Sequence, residues 1–132
     1  MRTKLALIVA ATATLVLGLT PAAYAADHSM VTNDRVTPAE DPIGSMWFNE
    51  HGDVVTLCDR DADGVKPTLH VALYDPYDPE EYVLTVGGED NCVTRKASSG
   101  SRFNLPEDTD IGFLICKYPD GYCNAATWHN DH

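Results

Sequence analysis

Basic residues are scarce in this chain: nine Lys and Arg stand against 20 Asp and Glu in 132 residues, a net charge of −11. Such a chain repels polyanions, which excludes nucleic acid and anionic membrane surfaces as partners. Signatures of catalysis are missing too: there is no G-x-S-x-G, no H-E-x-x-H and no C-x-x-C. The five histidines (His28, His51, His70, His129 and His132) are too scattered for a closed zinc site. The many carboxylates could hide a glycosidase pair, but acids in turns, such as Asp75, Asp78, Glu80 and Glu81, are more simply solvating. A domain this small also offers little depth for a substrate cleft. The reading is a protein without catalytic residues and without a cofactor.

No sustained helical period and no long apolar run follows residue 25. What precedes it looks like an export signal. Met1-Arg2-Thr3-Lys4 is a short basic start, Leu5 to Leu19 is uncharged and apolar, Thr20-Pro21 breaks the helix, and Ala23-Tyr24-Ala25 offers a small-x-small cleavage site. The apolar run, about 15 residues, is shorter than the roughly 20 that span a bilayer. Removal of residues 1–25 leaves 107 residues, and the loss of Arg2 and Lys4 takes the charge from −11 to −13. Leu, Ile, Val and Phe then make up about a fifth of the chain, the limit at which acidic sequences stop folding unaided. The expected location is extracellular.

Residues 26–44 contain two prolines and few large apolar side chains, a composition that predicts a flexible N-terminal arm. The body is expected over 45–132 as one domain. Its runs are short, β-rich and punctuated by turn chemistry. Strands are expected at 53–58, 68–74, 82–86, 91–97, 111–118 and 122–128, with a further short one around Phe103 and Leu105. Six to eight short strands in about 85 residues predict an all-β, antiparallel sandwich or barrel, and the sandwich is the expected form.

Help for the thin core comes from Cys58, Cys92, Cys116 and Cys123. Four cysteines allow three pairings; the intervening turn favours Cys116–Cys123 and leaves Cys58–Cys92. In an exported chain these read as structural staples, with chain-entropy contributions of about 2.5 and about 3.8 kcal/mol.

Two stretches resemble metal sites. Asp59-x-Asp61-x-Asp63-Gly64 copies the opening of a calcium loop, but its twelfth position is His70, where a bidentate Glu is needed. A plain Asp- and Gly-rich turn is the favoured reading, with calcium as a secondary one. If cleavage follows Ala25, the new terminus Ala26-Asp27-His28 presents an amine, two amides and the His28 imidazole, a donor set for square-planar Cu(II).

Recognition of another secreted protein is the remaining class. Val31, Val36 and Ile43 are candidate anchors on the arm, and Tyr77 and Tyr118 are turn-borne tyrosines expected at the surface.

Cys58-Asp59 leading to Ala62-Asp63-Gly64, then Asn91-Cys92-Val93, then the run from Phe113 to Trp128 (FLICKYPDGYCNAATW), resembles the small secreted four-cysteine β-sandwich proteins of actinobacteria, over about residues 45–130. One subgroup with a similar layout is the adaptor subunit of secreted umbrella-shaped antibacterial toxin particles. That resemblance implies an immunoglobulin-like body and an N-terminal arm that inserts into a partner subunit. The expected function is therefore a non-catalytic secreted adaptor. The alternatives are an inhibitor of an extracellular hydrolase, acting through the loop 75–81 or the hairpin tip 118–122, and a calcium- or carbohydrate-binding module.

Overall fold

A computed structural model describes residues 27–32, 43–117 and 122–132. The proposed signal segment, residues 33–42 with Val36, and the hairpin tip with Tyr118 lie outside the described residues. Eight strands occur in chain order: β1 His28–Val31, β2 Gly44–Asn49, β3 Val54–Asp59, β4 Pro67–Leu73, β5 Glu80–Thr85, β6 Cys92–Arg95, β7 Thr109–Lys117 and β8 Tyr122–Asn130. They form two four-stranded sheets, β1-β2-β3-β6 and β5-β4-β7-β8, and every pairing is antiparallel. The chain crosses between sheets after β3, after β5 and after β6, the route of an immunoglobulin-like sandwich with β1 added at one edge.

Alternation creates the core. Met46 and Phe48 of β2 and Val55 and Leu57 of β3 point inward from one sheet. Leu69, Val71, Leu84, Ile111, Phe113 and Ile115 answer them from the other. Phe48 meets Phe113 across the gap with ring centroids 5.0 Å apart, and Trp128 closes one edge against Phe113 at 5.1 Å. Each such buried side chain contributes about 1.5–3 kcal/mol.

Three expectations are corrected. Residues 28–31 are an integral strand: His28 pairs with Phe48 and Val31 with Ser45, and Met30 is buried in the core. Thr32 and Gly44 continue that ladder through Thr32 N–H to Gly44 O, and the Gly44 N–H donates to Thr32 Oγ1. The reason is Met30: alternation places it and His28 on the inner face, so even a short polar segment gains by joining the edge. Ile43 is buried as well, not displayed as an anchor. Around Phe103 the chain forms two short 3-10 turns, Ala97–Ser99 and Ser101–Phe103, instead of a strand, and Leu105 plugs the core directly.

Both disulfides form as expected, Cys58–Cys92 and Cys116–Cys123, and each joins residues directly opposite in neighbouring strands. They lie within sheets, unlike the bridge between sheets of antibody domains. Their presence indicates an oxidising environment.

Candidate functional site

The loop from Tyr74 to Pro79, between β4 and β5, displays the most exposed large aromatics of the described residues: Tyr74 at 65% and Tyr77 at 76%. Its shape is fixed locally. Asp75 Oδ1 accepts the Tyr77 N–H (2.9 Å) and Asp75 O accepts the Asp78 N–H (3.0 Å), so one aspartate closes a tight turn. The Tyr74 N–H donates to Asp110 O on β7 (2.7 Å). Pro76 is buried where the loop folds back over the sheet. Gly112 permits that approach: a Cβ there would stand 2.3 Å from Pro76 N and 2.4 Å from the Asp75 carbonyl carbon. Its cross-strand neighbour, Ala72, is small and buried.

Tyr74 adopts φ 70°, left-handed backbone that a bulky side chain rarely takes. Such a conformation costs on the order of 1 kcal/mol and persists only where the surroundings over-determine it. Here the result is a tyrosine turned to solvent. Acids surround it: Asp75, Asp78, Glu80 and Glu81 on the loop and the start of β5, all exposed.

His129 stands at the same end of the sandwich. Its Nδ1 lies 2.7 Å from Asp110 Oδ1 and its Nε2 3.1 Å from Asp108 Oδ1. Those hydrogen bonds, Asp110 first and then Asp108, raise the His129 pKa above the usual imidazole range.

The residues singled out from sequence do not converge. Tyr77 is exposed as expected, and Val31 is 44% exposed on edge strand β1. Tyr118 lies outside the described residues. The sequence places Tyr74 at the end of a strand, and its left-handed φ turns it into part of the loop.

The acidic stretch folds as a turn in which the carboxylates of Asp59 and Asp63 are engaged within the chain. Asp59 is buried, its Oδ2 accepting the Gly88 N–H (2.8 Å) and its Oδ1 the Asp61 N–H (3.2 Å). Asp63 Oδ1 accepts the Val65 N–H (2.8 Å), while its Oδ2 lies 3.5 Å from Lys117 Nζ. The carboxylates of Asp59, Asp61 and Asp63 are not among the described groups whose ligand atoms converge. His70, at the twelfth position, points out from β4 toward Glu80 (3.8 Å). His28 is also committed. Its ring stacks on Trp128 (centroids 4.8 Å, planes 8° apart), and its Nε2 lies 2.6 Å from Glu50 Oε1. Ala26, the first residue of the copper donor set, lies outside the described residues.

No family model, curated protein or solved structure matches this chain.

Proposed function

We propose that this protein is a secreted, non-catalytic binding module that captures another extracellular protein through the loop Tyr74–Pro79. One observation carries the reading: a strained tyrosine and its neighbour Tyr77 are held in solvent by a loop clamped onto Gly112. Rigid, amphipathic aromatics supply contact area at little entropic cost on binding, which is why tyrosine is enriched at hot spots. The ring of carboxylates favours a partner with a basic face. Docking through a free arm is set aside for residues 28–31, because β1 belongs to the sheet.

The test is capture from the producing culture's medium with wild-type bait beside a Tyr74→Ala/Tyr77→Ala bait. The wild type should retain a specific partner, and the double variant should lose it by at least about tenfold, each hot-spot truncation costing about 1 kcal/mol or more. Equal retention by both baits contradicts the proposal. A second reading, inhibition of an extracellular hydrolase, draws on the same Asp75-closed loop, since preorganised loops suit inhibitors. Stoichiometric loss of a secreted hydrolase's activity on titration would favour it.

A further inference from the structure

At the same end of the sandwich, Glu50 of the β2–β3 turn meets Asp131 and His132, the two residues after β8. One ligand atom from each lies within 4.8 Å of the others. Two carboxylates are brought this close in a chain of net charge −11, with the His28 imidazole 2.6 Å from Glu50 Oε1 and the His132 imidazole 3.3 Å from Asp131 Oδ1; a bound cation would lower the repulsion between them. An imidazole beside them makes the donor set mixed oxygen and nitrogen, which suits zinc and its neighbours rather than calcium.

Glu50 is set in place before any ion arrives. Its side chain is only 12% exposed, and its Oε1 lies 2.6 Å from His28 Nε2. Its backbone N–H donates to Asp27 Oδ2 (3.0 Å). His28 is itself held by its stack on Trp128. Hydrogen-bonded support of a carboxylate ligand by a second residue is the arrangement that orients ligands in metal sites. A further imidazole, that of His51, lies edge-on to His132 with ring centroids 5.8 Å apart. The three donors come from the β2–β3 turn and the segment after β8, which follow strands of different sheets.

We infer that Glu50, Asp131 and His132, with His51 beside them, form a binding site for a divalent transition metal of the zinc class. The ion ties the residues after β8 to the β2–β3 turn and so links the two sheets where neither disulfide does. This site is independent of the tyrosine loop, and its loss leaves the capture experiment intact.

The test is calorimetric titration of the purified, disulfide-bonded protein with zinc chloride in a non-chelating buffer. One equivalent should bind, and Glu50→Gln and His132→Ala should each weaken binding by at least about tenfold. Melting in EDTA should be the same for His132→Ala and the wild type, since His132 is exposed. His129→Ala, which alters the neighbouring His/Asp cluster, should bind as the wild type does. The inference is overturned if the wild type takes up no zinc, if both site variants bind undiminished, or if His129→Ala abolishes binding.

Discussion

Asp53 shows how one residue couples backbone, charge and core. It sits at φ 53°, a conformation aspartate and asparagine tolerate, and its carboxylate is buried. Oδ2 accepts the Leu105 N–H (3.0 Å) and Oδ1 accepts a hydrogen bond from Asn130 Nδ2 (3.1 Å). Burial raises its pKa above the usual carboxylate range, and the hydrogen bonds from Leu105 and Asn130 only partly oppose that. Burial likewise pushes the Tyr82 phenol up, with the nearby Asp53 charge adding to it. A carboxyl with a raised folded pKa favours the native state fully below its unfolded pKa, and that benefit is lost as pH rises through the folded value. Asp53→Asn keeps the shape and removes the titration. The melting temperature of the wild type minus that of Asp53→Asn should therefore fall as pH climbs past the ordinary carboxylate range. A difference that grows with pH contradicts burial as the dominant influence.

At the scale of elements, β1 and the Tyr74–Pro79 loop carry the account. Met30 is the only buried apolar side chain that β1 contributes, and Met30→Ala should cost about 2 kcal/mol. That corresponds to a drop of about 10 °C in melting temperature for a domain of this size. A truly detached arm would show no change. The loop depends on Gly112 in the same way. A Cβ at that position would meet backbone atoms of Asp75 and Pro76, which cannot rotate aside. Gly112→Ala should cost about 1–3 kcal/mol by overpacking and displace the loop, seen as a lower melting temperature together with weakened partner capture. Most strands were legible because alternation is a local signal: Leu69, Val71 and Leu73 read as one face of β4, and they lie on its inner side. β1 was not legible, because one buried methionine among polar neighbours carries no period. Its membership in the sheet depends on β2, more than a dozen residues away. Phe103 and Leu105 misled for the opposite reason: they alternate like a strand, yet none of the described strands pairs with them.

For the whole molecule, two short disulfides and one interlocked apolar layer compensate for a sparse composition. Both pairings could be foreseen, since a turn between Cys116 and Cys123 folds their strands together and leaves one partner each for the rest. The candidate sites could be foreseen only in part: Tyr77 and the loop 75–81 stand out in the sequence, Tyr74 and the Glu50 cluster do not. Tyr74 gains its exposure from a backbone torsion, and Glu50 meets His132 only after the two sheets have packed. The tyrosine loop, the His129 cluster and the Glu50 cluster all gather at one end because β2, β4 and β8 each finish there, while the Asp59–Asp63 turn lies at the other. The central claim is that the loop is preformed and not ordered by its partner. Amide hydrogen exchange of the free protein measures this most directly. The Tyr74 and Asp78 amides, bonded to Asp110 O and Asp75 O, should exchange at least about 100-fold more slowly than in a free peptide. Exchange of both amides at the free-peptide rate would contradict the account.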